Sequence, residues 1–319
     1  MRLATLCTAP LAIVLTIGAC SEGCSSRRGV GSLTDGTPGR VWRDRAAAAA
    51  SDGGSIVRIA AAGDISLNSL GAQRQTSDLI GEAGVAAVLV LGDTQYPNGE
   101  LANFKAYYDP TWGRFKAITE PSPGNHEYYS DGAEGYYAYF GDRAGDPTKG
   151  YYSFDLGEWH LISLNSNCGD VGCGATSPQL TWLKADLAAN TRKCVLAYWH
   201  HPRFSSGATH GNNPSMGPFW DALYQARVDV VLNGHEHIYE RFHPQTPAAL
   251  PDAAGIRQFT VGTGGANLYA IDSIQPNSAV RYNGAHGVLA LTLAPDSYHW
   301  KFLPVAPATF TDTGSAVCH

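Results

Sequence analysis

Charge is scarce in this chain of 319 residues: Asp, Glu, Lys and Arg together make up 16%. The 28 acidic and 22 basic residues leave a formal net charge of −6. A dedicated nucleic-acid binder needs clustered Lys and Arg, so this balance argues against one. Paired CxxC spacings are absent, which argues against a zinc site built from cysteines. There is no internal repeat, and past the N-terminus no apolar run is long enough to span a membrane. What is present is apolar material, 44% of residues, too much for a disordered chain and enough for a large core. The 36 glycines and 10% aromatic residues point to tight loops around a well-packed body.

The N-terminus reads as a targeting segment. Met1-Arg2 is a short basic start, and Leu3 to Gly18 is almost wholly apolar or small, the pattern of a signal-peptide core rather than a lasting span. Ile17-Gly18-Ala19-Cys20 resembles a bacterial lipobox, which makes Cys20 the lipidated first residue of the mature protein; ordinary cleavage near Ala19 is the alternative. The expectation is export, either lipid-anchored to the bacterial cell envelope through Cys20 or secreted, with a membrane touched only through that lipid. Residues 1–19 are the signal segment and residues 20–55 a flexible linker, with Ser25-Ser26-Arg27-Arg28, several Gly and the run Ala46 to Ala50. The folded body is expected over 56–319. Its cysteines fit an oxidising compartment: Cys168 and Cys173 flank a Gly-rich loop and can pair locally. Cys194 and Cys318 are then the long-range candidates, leaving Cys24 odd, although spacing alone does not fix connectivity.

The body alternates strand and helix signals. Strands are expected at Ile56–Ala62, Val85–Leu91, Ile118–Pro123, Tyr151–Phe154, His160–Leu164, Cys194–Tyr198 and Val228–Leu232, with a C-terminal hairpin of Val288–Leu293 and Tyr298–Phe302 around Pro295-Asp296. Helices are expected at Ser77–Glu82, at Ser177–Ala189 with Ser177 as cap, and at Phe219–Ala226.

Five of these strands end in a polar cluster: Asp64; Asp93; Asn125 and His126; His200 and His201; His235 and His237. In α/β sheets ligands gather beyond the carboxyl ends of the strands, so five such clusters converge on one rim. Taken singly, each has an ordinary explanation, since Gly-Asp after a strand is usually a turn and a lone His pair is usually surface. Taken together they supply oxygen and imidazole ligands without a thiolate, a mixture suited to Fe, Zn or Mn and larger than one ion needs. Two metal ions ~3.5–4 Å apart with a bridging carboxylate satisfy it.

The series Gly63-Asp64, Gly92-Asp93-Thr94-Gln95-Tyr96, Gly124-Asn125-His126-Glu127, His200-His201-Pro202, Gly234-His235-Glu236-His237 resembles the calcineurin-like metallophosphoesterase superfamily, and most closely its purple acid phosphatases. Ser66 stands where most of the superfamily has a His two residues after the first Asp. Tyr96 supplies the tyrosine that the purple acid phosphatases place three residues after the second Asp, and His235 to Arg241 is similar to their GHxHxYER. The resemblance covers roughly Ile56 to Phe242, and upstream it leaves no room for the extra N-terminal β-domain of the larger plant enzymes.

The resemblance implies an α/β fold, a four-layer αββα sandwich with two mixed β-sheets and the active site at strand C-terminal ends. It implies two metal ions, Fe(III) with Zn, Mn or Fe(II). One takes Asp64, Asp93, Tyr96 and His237, and the other Asp93, Asn125, His200 and His235, with Asp93 bridging. His200 rather than His201 follows from the His-x-Pro spacing. His126 is the implied proton donor to the leaving alkoxide, and His210 the implied outer-sphere contact to substrate. The implied reaction is hydrolysis of a small phosphate monoester by hydroxide held on the metal pair, since two cations neutralise the ester's oxygens and lower the pKa of water to ~7. A phosphodiesterase or nucleotidase uses the same core. It would differ in the loops Gly99–Trp112, Asp131–Lys149 and Ser205–Gly217, and the tyrosines Tyr128, Tyr129, Tyr136 and Tyr137 could stack a base or sugar, although loop packing is the commoner use. A secreted metal- or phosphate-binding protein without catalysis is the third reading, and it would need a broken ligand set.

Overall fold

The computed structural model describes residues 55–319. The signal segment and lipobox, and the linker apart from Ser55, lie outside the described residues. The strands in chain order are β1 (Val57–Ala62), β2 (Ala87–Leu91), β3 (Thr119–Ser122), β4 (Tyr152–Leu156), β5 (Trp159–Ser163), β6 (Cys194–Tyr198), β7 (Val230–Asn233), β8 (Tyr239–Phe242), β9 (Arg257–Val261), β10 (Ser278–Tyr282), β11 (Gly287–Ala294), β12 (Ser297–Pro304) and β13 (Thr313–Val317). They form two mixed sheets, one ordered β13-β12-β11-β1-β2-β3 and one ordered β10-β8-β9-β7-β6-β5-β4. The runs β1-β2-β3 and β9-β7-β6-β5 are parallel, so each sheet delivers several carboxyl ends to one side.

Side-chain alternation explains why the parallel strands read as unbroken apolar runs. In β6 and β7, Leu196, Tyr198, Val230 and Leu232 pack toward the other sheet, beside Ile59, Leu89 and Leu291. Their neighbours Val195, Ala197 and Val231 face the opposite way, onto Leu180 and Leu183 of the helix Pro178–Ala189 and Phe219, Trp220 and Leu223 of the helix Gly217–Gln225. A strand buried on both faces cannot alternate apolar with polar. The helix Ala72–Ala83 packs on the first sheet against β1 and β11, completing the sequence of helix, sheet, sheet, helix. Truncating a fully buried inter-sheet residue such as Leu196 to Ala should cost ~2–5 kcal/mol.

Ser177 caps its helix through a hydrogen bond accepted from the Leu180 N–H at 3.2 Å, with Pro178 in the first turn. The disulfides are Cys168–Cys173 and Cys194–Cys318. Among the described residues no helix is long and apolar enough to cross a membrane.

Several departures from the sequence expectations trace to buried polar residues. The helix expected at Ser77–Glu82 begins at Ala72, because its first turns bury Gln73 and Thr76. Thr76 Oγ1 donates to the Gly264 carbonyl at 2.6 Å. Strand β9 was not expected, since Gln258 and Thr260 interrupt its apolar pattern; both are buried, and Gln258 Nε2 donates to the Phe204 carbonyl. β13 gives no apolar signal because it is an exposed edge. The segments read as loops at Gly99–Trp112 and Asp131–Lys149 contain helical turns at Leu101–Tyr108 and Glu134–Phe140, whose Phe104, Tyr108, Tyr139 and Phe140 form one aromatic cluster.

Candidate metal centre

Three of the strand ends turn sharply at the polar residue they present. Asp64, Asp93 and His235 adopt positive φ of 59°, 47° and 70°. That conformation costs non-glycine residues of order 1 kcal/mol or more each and clusters at functional sites. The preceding glycines are required by close approach. A Cβ on Gly124 would lie 2.1 Å from Asp93 Oδ1, and one on Gly234 would lie 2.7 Å from Asp64 Oδ2. The missing side chains of Gly124 and Gly234 are thus the space into which the carboxylates of Asp93 and Asp64 project.

The seven side chains expected as ligands come together as two groups. In the first, Tyr96 Oη lies 3.0 Å from Asp64 Oδ1, 3.2 Å from Asp93 Oδ2 and 3.0 Å from His237 Nε2. In the second, His200 Nε2 lies 3.2 Å from Asp93 Oδ2, 3.1 Å from Asn125 Oδ1 and 3.1 Å from His235 Nδ1. Asp93 Oδ2 belongs to both.

This donor set fits cations. Nδ1 of His200 faces the Leu91 carbonyl at 2.8 Å, and Nδ1 of His237 faces the Asn267 carbonyl at 2.6 Å. A carbonyl only accepts, so both Nδ1 atoms carry hydrogen and both Nε2 atoms point inward, the orientation of imidazole ligands. The single Tyr96 hydroxyl hydrogen meets three acceptors, and one proton cannot serve them all, whereas a cation at that point can.

The electrostatics tell the same story. Burial alone would raise the Asp93 carboxyl, but His200, then His126 and His235, hold it well below the usual carboxylate range. Burial pushes His200 down and Asp93 pushes it further up, to about 9. Burial, then Asp64 and Asp93, drives Tyr96 well above an ordinary phenol. In the metal-free protein a proton on His200 therefore balances Asp93; a metal bound among these residues would displace such protons and favour phenolate at Tyr96.

The remaining expected residues surround this core. His126 Nε2 is 3.9 Å from Asp93 Oδ2, its ring is 4.1 Å from Tyr96, and its Nδ1 bonds the Pro97 carbonyl. His201 bonds Ser166 Oγ through Nδ1 at 2.7 Å and sets its ring 4.3 Å from His235, with burial, then His200, lowering it to about 3. His200, His201 and His235 lie close enough to share an ion. His210 stacks on His235 at 4.0 Å.

Sequence reasoning missed the residues that hold this arrangement. Glu127 is fully buried and accepts the backbone N–H groups of Gly124, Asp93, Thr94 and Gln95. Glu236 accepts from the N–H groups of His210 and Gly211, and Glu240 from Ser206, so two glutamates beside the last histidine pair tether the His210 loop. Tyr269 lies flat on His237 at 3.8 Å and 9°. The Gly-rich turn Gly262-Thr263-Gly264-Gly265 after β9 was the available signal for the loop that supplies Asn267 and Tyr269.

Comparison with known proteins agrees with this geometry. The family model described as calcineurin-like phosphoesterase matches residues 57–239. The chain is 39% identical to purple acid phosphatase 22 of Arabidopsis thaliana over 120 residues, which is 36% of this chain and 27% of that protein. It thus spans about a quarter of the length of the curated relatives it matches. Among solved structures it is similar in fold to purple acid phosphatase PPD1 from yellow lupin (Lupinus luteus) seeds, with TM-score 0.68, 18% identity and coverage of 82% of this chain and 53% of that one. It is also similar to GAP50, the anchor in the inner membrane complex of Plasmodium, with TM-score 0.61, 13% identity and coverage of 83% and 89%.

Proposed function

Because the chain belongs to the calcineurin-like phosphoesterase family, we propose that it hydrolyses small phosphate monoesters at a centre of two metal ions. The observation that carries this reading is the sharing of Asp93 Oδ2 between two donor groups, each completed by oxygen and imidazole. Asp64, Tyr96 and His237 would hold one ion, and Asn125, His200 and His235 the other, with Asp93 a donor common to both groups. A phenolate is a hard anionic donor, which favours Fe(III) on the Tyr96 side and Zn, Mn or Fe(II) on the other. When bound, two cations neutralise the ester's oxygens and activate water near neutral pH.

The chain's own groups do the rest. His126 is held by its Nδ1–H to the Pro97 carbonyl and by its contact with Tyr96, which leaves Nε2 to carry a proton to the leaving oxygen. His210, stacked on His235, contacts the ester from outside the metal ligands. Two disulfides support placing the reaction in an oxidising, exported compartment.

The test is turnover of p-nitrophenyl phosphate and of its bis ester, with metal analysis of the same preparation. Two metal equivalents and preference for the monoester are expected. Preference for the bis ester would assign a phosphodiesterase, and metal binding without turnover of either would overturn the enzymatic reading.

A further inference from the structure

The four tyrosines that the sequence marks as possible stacking residues separate in the structure. Tyr136 is fully buried. Tyr128 and Tyr137 bond each other through their hydroxyls at 3.2 Å, and the Tyr128 hydroxyl also accepts from Asn165 Nδ2 at 2.7 Å. These three are packing residues. Tyr129 is different: it is 62% exposed, although it sits beside the metal centre. Its ring centroid is 4.7 Å from that of His126. Its hydroxyl accepts from Asn125 Nδ2 at 2.9 Å, which pins the exposed ring at the rim. The other rim aromatic, Tyr269, already has one face covered by His237.

We propose that Tyr129 is the platform for the leaving group, so that the chain prefers phosphate monoesters of aryl alcohols over alkyl ones. The inference rests on the phosphatase reading above. A proton donor works only within about 2.6–3.2 Å of the oxygen it protonates. The leaving oxygen therefore sits against His126, and the group it carries begins one bond further out. Tyr129 borders that path, its ring centroid 4.7 Å from that of His126. A planar leaving group can cover the exposed ring face, while a short alkyl group covers little of it. Loss of such a stack on alanine substitution costs about tenfold or more in affinity.

The test uses the metal-loaded protein and two non-hydrolysable probes, phenylphosphonate and methylphosphonate, titrated calorimetrically, alongside turnover of phenyl phosphate and glycerol phosphate. Tyr129→Ala should weaken phenylphosphonate about tenfold and methylphosphonate less than about twofold. Measured against Tyr129→Phe, which already lacks the bond to Asn125, kcat/KM of Tyr129→Ala should fall in parallel for phenyl phosphate and hold for glycerol phosphate. Tyr129→Phe keeps the ring and removes the bond to Asn125, and should retain the preference. Equal losses for both probes, or a Phe variant that falls as far as the Ala variant, would show that Tyr129 acts by holding Asn125 and would overturn the platform. Failure of the phosphatase reading is seen separately, as no turnover of any monoester by the wild type, whereas the titrations report the platform directly.

Discussion

Removing the Glu127 carboxylate should loosen the centre without touching a proposed ligand. The side chain is fully buried and accepts four backbone N–H groups, from Gly124 at 2.7 Å, Thr94 at 2.8 Å, Asp93 at 3.0 Å and Gln95 at 3.2 Å. Those donors flank Asp93 and Asn125, so one carboxylate braces two strand-end loops. Glu127→Ala strands four donors away from water, and each buried unmet donor costs ~1–3 kcal/mol. Water entering the vacated space favours the lower end, a sum of ~4 kcal/mol. An opposing contribution comes from the carboxylate itself: burial, then Asp93, pushes Glu127 up to about 7, so its removal relieves some strain. The net expectation is ~3 kcal/mol, or about 6–12 °C in melting temperature for a domain of this size. Glu127→Gln keeps an accepting oxygen but turns an amide N–H₂ toward N–H donors, and should fall between. The assay is urea and thermal unfolding of the metal-free protein, followed by metal titration, in which the Ala variant should bind more weakly. Unfolding within ~1 kcal/mol of wild type, with unchanged metal binding, would refute the brace.

Other perturbations address single groups. Asp93→Asn should remove most bound metal and nearly all hydrolysis, because a neutral amide bridges two cations poorly; near-full occupancy with intact turnover would end the bridging assignment. His126→Ala should retain metal and slow alkyl esters far more than p-nitrophenyl phosphate, since general acid catalysis contributes ~10²–10⁴-fold mainly where the leaving group is poor; equal losses would make His126 a substrate-positioning group. Iron-loaded, oxidised protein should show a broad visible phenolate-to-iron band that Tyr96→Phe bleaches, and an unchanged spectrum would show that Tyr96 is not a ligand. His160, buried between Asp155 and Asp186 at 2.8 Å from each, is pushed down by burial but raised overall by the two carboxylates. Its stabilisation is complete below the unfolded value of about 6.5 and is lost as pH rises through the higher folded value. His160→Gln should accordingly cost most in urea unfolding near pH 6 and least in alkali; a cost that grows with pH would contradict the pairing.

The parallel strands and the polar clusters at their ends were legible in the sequence for a local reason. A strand buried on both faces is an apolar run, and a chain that must turn abruptly at its end shows Gly followed by a polar residue, as at Gly63-Asp64, Gly92-Asp93 and Gly234-His235. Those signals lie within a few residues of each other, so no knowledge of the fold was needed to see them. The sharing of Asp93 between the Tyr96 and His200 groups came only from the resemblance and not from residue spacing, because residues 93 and 200 meet only when β6 docks beside the other strand ends. Glu127, Glu236 and Gln258 carried no periodic signal, since a buried polar side chain is justified by the backbone groups it meets and those are set by tertiary packing. The orientation of His237 depends on the carbonyl of Asn267, a group every residue possesses, so no side-chain pattern could announce it. Residue types and local turns thus followed from the sequence alone, while the pairing of donors across 30 to 170 positions was decided by the two sheets that bring them within about 3 Å.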